Sequence, residues 1–252
     1  WSEAANYLQN TGGATLVSIS EARLSSEWIK LALASYYVLA CAEASSNLSR
    51  YDGVRYGMDL DLDDAYATID FLDDEAFRPL LDMNALEQQI SATRAYGFGE
   101  EVQRRILAGT SVLSSDRFHT HYEAAAVVRA KLSRSLNNAF RSSSNVETDT
   151  SDKVDVMLVP TALSLPCMLN PIDGEEGMEE IDPTAAFAND VMTIPVSLGG
   201  FPSISVPVKS LKTSTDNCSL DDNHENKLTI GMQIFASRGS EDLVLKVANT
   251  LQ

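Results

Sequence analysis

The chain has 252 residues, of which 44% are hydrophobic and 22% are charged, a composition typical of globular domains with a buried core. Its 36 acidic residues outnumber 19 Lys and Arg, and the resulting net charge of −17 disfavours a direct grip on nucleic acid. No apolar run approaches the ~20 residues that a membrane-spanning helix needs, so we expect one large domain or two small ones.

The N-terminal segment predicts two helices separated by a short strand. Residues 2–9 are typical of the end of a helix, and Thr11-Gly12-Gly13 predicts its C-terminal cap. The apolar and β-branched residues 14–19 predict a strand. Residues 26–47 carry Ala, Leu and Tyr at helical spacing, which predicts a long, well-buried helix.

The middle of the chain predicts an acidic excursion followed by two further helices. Residues 58–95 are dense in Asp and Glu, and we interpret them as an acidic surface insertion with one or two short helices. Residues 98–113 and 116–142 each predict a helix, the second with a buried apolar stripe. The polar residues 143–151 predict a loop.

The C-terminal part predicts three strands and a final helix. Residues 154–160 form an apolar run that ends at proline, which predicts a central strand. Residues 201–208 and 228–235 predict two further strands, and Ser240 predicts the start of the last helix. Loops are predicted at residues 171–184 and 209–227. The alternation of helices and strands indicates the α/β class, layered around a mostly buried sheet.

The Cys, His and Asp patterns predict neither a metal site nor a disulfide framework. The three cysteines are Cys41, Cys167 and Cys218. They are far apart and odd in number, which suits a reducing compartment. His119 and His121 point to different faces of a helix and cannot share a metal as an i, i+4 pair can. The run from Asp59 to Asp63 begins like an EF-hand, but Asp64 stands where that loop needs glycine.

The serine pairs of the chain are weak candidates for a nucleophile. Such a serine needs a base within hydrogen-bond reach and aligned N–H donors for the oxyanion. Neither Ser45-Ser46 nor Ser114-Ser115 is followed by a Gly-rich turn that could supply those donors. Gly199-Gly200 lacks the Lys-Ser/Thr pair of a phosphate loop, so we predict a tight turn into a strand there.

Five motifs in a fixed order resemble those of one enzyme family and together cover most of the chain. They are Ala42–Gly57 (AEASSNLSRYDGVRYG), Gly97–Thr110 (GFGEEVQRRILAGT), Val154–Ala162, Asn189–Pro207 (NDVMTIPVSLGGFPSISVP) and Ile230–Ile234 (IGMQI). This set is similar to the A subunits of glutamyl-tRNA(Gln) amidotransferases, which are members of the amidase signature family. The resemblance implies that residues 1–252 are the C-terminal half of a single amidase domain, a three-layer α/β/α fold around a mixed sheet.

The resemblance also implies a reaction and its partners. A Ser–cis-Ser–Lys triad hydrolyses glutamine, and the ammonia passes to a B subunit, which amidates glutamate on tRNA. ATP and Mg²⁺ belong to the B subunit, a C subunit completes the complex, and no cofactor is expected in this chain. The triad has no counterpart among these 252 residues, so we assign no catalytic residue and expect the isolated chain to be inactive. The expected location is the mitochondrion, with a plastid or the bacterial cytoplasm as alternatives.

The resemblance implies three glutamine-binding residues in this half: Tyr36, Arg105 and Asp190. Their chemistry fits a zwitterionic substrate, because Arg105 can take the α-carboxylate through two hydrogen bonds and Asp190 can take the α-ammonium. Tyr36 offers a hydroxyl and an aromatic wall. The sequence departs from the motif at Ser197, where the family has Asn, and at Phe201, where it has Leu.

Two other functions stay open at the level of sequence. Another amidase signature hydrolase could act on a neutral amide, but a cation–anion pair for a zwitterion argues against it. A non-catalytic scaffold subunit could use the acidic segment 58–95 as a contact surface. An ordinary ion pair between Arg105 and Asp190 is the structural alternative to their ligand roles.

Overall fold

Five α-helices precede the first strand in the described residues, and both kinds of element follow it. A computed structural model describes residues 1–19, 24–58, 84–141, 153–164, 188–208 and 230–251. The helices are α1 (Ser2–Asn10), α2 (Ser26–Leu48), α3 (Ala85–Gly97), α4 (Glu100–Val112), α5 (Glu123–Ala139), α6 (Ile194–Gly199) and α7 (Glu241–Leu251). The strands are β1 (Val156–Pro160), β2 (Ser203–Val208) and β3 (Ile230–Ala236). This mixture confirms the predicted α/β class.

The chain divides into two compact units. The first comprises residues 1–36 and 127–252, and the second comprises residues 37–126. The division falls within α2 and α5. The assignment of residues 1–252 to one amidase domain stays a prediction.

The sheet of the first unit has the order β1-β3-β2, with both pairs antiparallel. The register places Ile204 and Leu158 on either side of Ile234. Side chains alternate between the two faces of a sheet, so these three residues share a face. Helix α7 packs on that face through Val244 and Ala248, which are 3% and 5% exposed.

Aromatic side chains cover the opposite face of the sheet. Phe235 lies on this face, and its ring meets Phe140 edge-on with centroids 5.9 Å apart. Phe140 also contacts Phe201 at 5.6 Å. Two leucines of α5, Leu132 and Leu136, are 0% and 2% exposed. The sheet therefore has buried packing on both faces, as the layered α/β prediction expects.

The position of β1 among the described strands differs from the predicted one. Residues 154–160 were expected to form a central strand, but among the described strands β1 lies at an edge and β3 lies in the middle. The five residues of β3 from Met232 to Ala236 are all buried, which is the pattern of a central strand. The described sheet is antiparallel, and the parallel pairing found in the described residues is a single bridge between Phe140 and Val154.

Three further predictions differ from the structure. Residues 14–19 form no strand and are mostly exposed, because a strand needs a hydrogen-bonded neighbour and the described strands supply none there. Helix α2 has the predicted position, but only Ala32, Ser35 and Ala42 are buried along it. The predicted helix 116–142 begins as the π-helical turn Phe118–Tyr122 before α5.

The end of the predicted insertion at residue 95 falls inside helix α3. Asn84 caps this helix by accepting a hydrogen bond from the Glu87 N–H, and the Glu87 carboxylate accepts one from the Asn84 N–H. Residues 59–83 of the insertion lie outside the described residues. So do the predicted loops 143–151, 171–184 and 209–227, together with Cys167 and Cys218. No helix in the described part of the chain is long and apolar enough to cross a bilayer.

Candidate functional site

Arg105 lies on helix α4 of the second unit. Its Nε–H donates a hydrogen bond to Glu101 Oε1 at 2.9 Å, one helical turn earlier. The neighbouring Arg104 also pairs with the Glu101 carboxylate. The Arg105 side chain is 39% exposed. The bond to Glu101 raises the pKa of Arg105 and lowers the pKa of Glu101, so the guanidinium remains charged and keeps further N–H donors for a carboxylate.

A close helix crossing fixes where Arg105 sits within the second unit. A Cβ atom at Gly109 would lie 2.0 Å from the Cys41 carbonyl oxygen, so α4 and α2 touch backbone to backbone. One residue further, Thr110 Oγ1 lies 3.0 Å from Ser45 Oγ. Burial raises the pKa of the Cys41 thiol, and the nearby charge of Arg105 opposes that rise. The Arg105 guanidinium therefore lies beside the α2 segment that carries Cys41.

The motif at the end of α2 builds a turn that is tied to α3. Arg94 Nη1 donates to the carbonyls of Leu48 (2.8 Å) and Tyr51 (3.1 Å). Gly53 has φ +75°, and a Cβ atom there would lie 2.6 Å from Thr93 Oγ1. The Ala42–Gly57 motif thus has a clear architectural role in the second unit, and its turn needs glycine.

Asp190 opens a 3-10 turn, Asp190–Met192, in the first unit. Both the N–H and the hydroxyl of Thr193 donate to the Asp190 carbonyl, at 3.1 and 3.2 Å. The preceding Asn189 is held by Ser164 through two bonds. Asn189 Nδ2 donates to Ser164 Oγ at 2.9 Å, and the Ser164 N–H donates to Asn189 Oδ1 at 3.1 Å. The backbone on both sides of Asp190 is therefore fixed.

The third predicted ligand, Tyr36, is a half-buried residue of α2 and the last residue of the first segment of unit one. Asp190 belongs to the same unit, whereas Arg105 belongs to the second. The two departures from the family motif differ in exposure: Ser197 is exposed on α6, and Phe201 is 7% exposed. The assignment of Tyr36, Arg105 and Asp190 as glutamine ligands stays a prediction.

The serines considered as nucleophiles make structural hydrogen bonds. Ser45 pairs with Thr110, as described above. Ser114 Oγ donates to the Ser111 carbonyl at 2.6 Å and lies 2.7 Å from Asp116 Oδ1. The contact with Ser114 lowers the pKa of Asp116. These contacts are those of a helix end and a turn, and the absence of a catalytic residue in this chain stays a prediction.

The two histidines of the π-helical turn have partners other than each other. His119 Nδ1 lies 2.8 Å from Glu123 Oε2, and His121 Nδ1 lies 2.8 Å from Thr120 Oγ1. In the ranges that the structure describes, no three His, Cys, Asp or Glu side chains are grouped closely enough to hold a metal ion.

Sequence reasoning missed the residues that support Asp190. Asn189 and Thr193 stand within the quoted motif, so their closeness to Asp190 was a usable signal. Ser164 lies 25 residues from Asn189, with which it is hydrogen-bonded. Contacts over such separations leave no periodic pattern in the sequence.

Comparison with known proteins identifies the family. The sequence model of the Amidase family matches residues 2–245. The chain is 36% identical over all 252 residues to the A subunit of the glutamyl-tRNA(Gln) amidotransferase of Novosphingobium aromaticivorans. Over 230 residues, 90% of the chain, it is 37% identical to the mitochondrial A subunit of Candida albicans. It spans 40% and 42% of the length of these two relatives.

A solved structure supports the fold. The chain superposes on 6-aminohexanoate cyclic dimer hydrolase with a TM-score of 0.50 over 99% of its length and 39% of that protein, at 17% identity. At this identity the likeness concerns the fold alone. It agrees with the α/β architecture described above.

Proposed function

This chain belongs to the amidase family, and we propose that it forms the C-terminal part of the A subunit of a glutamyl-tRNA(Gln) amidotransferase. The observation that carries the proposal is the 36% identity with a protein of that name over the whole chain. The chain spans 40% of that relative. The activity, substrates and partners proposed below are therefore those of the longer protein.

In the proposed reaction the longer protein hydrolyses glutamine and releases ammonia. The ammonia is used by a B subunit, which holds ATP and Mg²⁺ and amidates glutamate on tRNA, and a C subunit is the third partner. The net charge of −17 supports a division of labour in which a partner, not this chain, holds the tRNA. A mitochondrial location is supported by the Candida albicans relative, whereas other relatives are bacterial.

We assign the recognition of glutamine to Arg105, Asp190 and Tyr36. The Arg105 guanidinium takes the α-carboxylate, Asp190 takes the α-ammonium, and Tyr36 contributes its hydroxyl. Arg105 suits this role because its bond to Glu101 uses Nε and leaves the planar fork of terminal nitrogens for a carboxylate. Asp190 suits its role because fixed backbone on both sides holds it in place.

A pair of neighbouring arginines tests the proposal in the full-length protein that contains this chain, assembled with its partner subunits. Arg105→Gln removes the charge-assisted pairing with the α-carboxylate, which is worth about 2 kcal/mol at this partly exposed side chain, so the KM for glutamine rises roughly thirtyfold. Arg104→Gln is the control, because Arg104 pairs with the same Glu101 but is 68% exposed. Initial rates of glutamate release measure both variants, and equal KM values would contradict the role of Arg105.

The same assay distinguishes a glutamine-hydrolysing protein from a hydrolase of neutral amides. A glutamine-specific site prefers glutamine to a simple aliphatic amide that carries neither an α-carboxylate nor an α-ammonium group. Efficient cleavage of the simple amide, unaffected by Arg105→Gln, would favour a neutral-amide hydrolase. Absence of hydrolysis of either substrate by the assembled complex would favour the scaffold interpretation.

A further inference from the structure

Two arginines from distant parts of the first unit bind the C-terminal end of helix α6. Arg238, in the turn after β3, donates from Nε to the Gly200 carbonyl at 3.0 Å. Its Nη2 donates to the Gly199 carbonyl and to Ser133 Oγ, the latter at 2.7 Å. Arg129 of α5 donates from Nε to the Leu198 carbonyl at 3.1 Å. We call Arg129, Ser133 and Arg238 the carbonyl cap of α6.

The carbonyl cap completes the hydrogen bonding at this helix end. Gly200 adopts the left-handed conformation with φ +71°, and its N–H donates to Val196 and Ser197 at 3.0 and 3.1 Å. The N–H of Phe201 also donates to Val196, at 3.2 Å. With the carbonyl cap added, every carbonyl from Val196 to Gly200 has a donor. Cations at the C-terminal end of a helix are favoured by the helix dipole.

Packing holds Arg238 in the orientation that these bonds need. Its guanidinium stacks over the Phe201 ring at 4.7 Å from the centroid, and Phe201 is itself buried against Phe140. A lysine would replace it only in part, because an ammonium group has no planar fork to reach two carbonyls and a hydroxyl together.

Helix α6 connects the carbonyl cap directly to Asp190. The helix begins at Ile194, immediately after Thr193, whose N–H and hydroxyl hold the Asp190 carbonyl. The Ser197 N–H donates to the Thr193 carbonyl at 3.1 Å. Five of the six residues of α6 are buried, so packing holds the helix in place between the turn before it and the carbonyl cap. The hydrogen bonds to the Gly199 and Gly200 carbonyls therefore restrict the position of Asp190.

We propose that Arg238, with Arg129, is a positioning residue for Asp190 and thereby sets the preference for a substrate that carries an α-ammonium group. This inference rests on the proposed function, in which Asp190 binds that group. The contacts of Arg238 described above are with backbone carbonyls, Ser133 and Phe201. Its effect on the substrate passes through the fixed geometry of α6, since small displacements of a binding group weaken binding strongly.

The test compares two substrates in the full-length protein with its partner subunits. Glutamine carries the α-ammonium group, and 5-amino-5-oxopentanoate has the same amide and carboxylate without it. We expect Arg238→Gln to raise the KM for glutamine about tenfold with little change in kcat, and to change kcat/KM for 5-amino-5-oxopentanoate less than about twofold. Arg238→Lys should give a KM for glutamine between those of the wild type and Arg238→Gln.

Three further variants make the result decisive. Arg129→Gln removes one hydrogen bond of the carbonyl cap and should raise the KM for glutamine by a smaller factor. If the Arg238→Gln protein does not fold, Arg129→Gln tests the inference in its place. Arg134→Gln is the control on the exposed surface of α5 and should leave both substrates unchanged. Asp190→Asn is the reference that should abolish the preference for glutamine.

The outcomes distinguish the proposed role of Asp190 from the positioning role of Arg238. An Asp190→Asn protein with the wild-type preference would overturn the proposed role of Asp190 and the inference with it. An impaired Asp190→Asn protein beside an unaffected Arg238→Gln protein would overturn the inference alone. An equal loss of kcat/KM for both substrates in Arg238→Gln and Arg129→Gln would also overturn the inference. A merely structural role would affect glutamine and 5-amino-5-oxopentanoate alike.

Discussion

The Asp52 carboxylate holds three backbone N–H groups of the turn that follows helix α2. Its Oδ1 accepts hydrogen bonds from the backbone N–H groups of Val54 and Arg55, both at 2.9 Å, and of Tyr56 at 3.4 Å. The Gly53 N–H closes the turn by donating to the Tyr56 carbonyl at 2.9 Å. These donors stabilise the carboxylate, and they lower the pKa of Asp52 to about 2.

We predict that this turn makes stability depend on pH in the acid range. Because the folded pKa lies below the ordinary value of 3.8, the stabilising effect is complete above that value and is lost as pH falls towards about 2. At neutral pH, the urea concentration at the unfolding midpoint should therefore be higher for the wild-type full-length protein than for its Asp52→Asn variant. This difference between the two midpoints should shrink below pH 3.8. A difference that is constant from neutral pH to the pKa of about 2 would contradict this.

At the scale of elements, the crossing of α2 and α4 positions Arg105 and depends on Gly109. Gly109→Ala forces the two backbones apart, because the new Cβ would lie 2.0 Å from the Cys41 carbonyl oxygen. We expect a loss of roughly 1–3 kcal/mol in unfolding free energy, the usual cost of overpacking. Urea unfolding measures it, and a raised KM for glutamine should accompany it.

The matched control for the crossing is Gly97→Ala at the end of α3. A Cβ atom at Gly97 meets nothing within 4 Å, so this substitution should leave stability within about 0.5 kcal/mol. A Gly109→Ala protein as stable as the Gly97→Ala protein would mean that α2 and α4 do not touch at Gly109.

The positions of two strands can be predicted from the sequence, whereas the order of the strands in the sheet cannot. The strands at 203–208 and 230–236 are predictable, because β-branched apolar runs end at prolines or polar segments. The order of strands is not, since β1 and β3 are both mainly apolar in sequence and only pairing decides which is central. Residues 14–19 have strand propensity without a partner among the described strands, and propensity alone does not make a strand.

The candidate site also has residues that the sequence predicts and residues that it does not. Arg105 and Asp190 can be named from the motifs, and the local bond of Arg105 to Glu101 follows from helical i, i+4 spacing. The carbonyl cap of α6 cannot be predicted, because Arg238 and Ser133 are 105 residues apart and meet only in the folded unit. Supporting residues of this kind carry no signal in a single sequence.

At the scale of the whole molecule, the surface of α2 is unusual for so apolar a helix. A helix that is apolar on all sides is normally buried within a larger protein. Here Leu31 is 42% exposed, and only Ala32, Ser35 and Ala42 of its residues are buried. We expect more of the protein to cover this helix, which agrees with a chain that spans 40% of a relative's length.

We therefore predict that the messenger RNA encoding this chain continues upstream of Trp1 into a segment with a Lys and a Gly/Ser-rich loop, the family's source of the triad. Protein from the longer reading frame should release glutamate from glutamine, and the 252-residue chain alone should not, because it has no counterpart of that triad. Mapping the 5′ end of the message, then assaying both proteins, checks this. A message that starts near Trp1 would replace the catalytic interpretation of this chain with the scaffold interpretation.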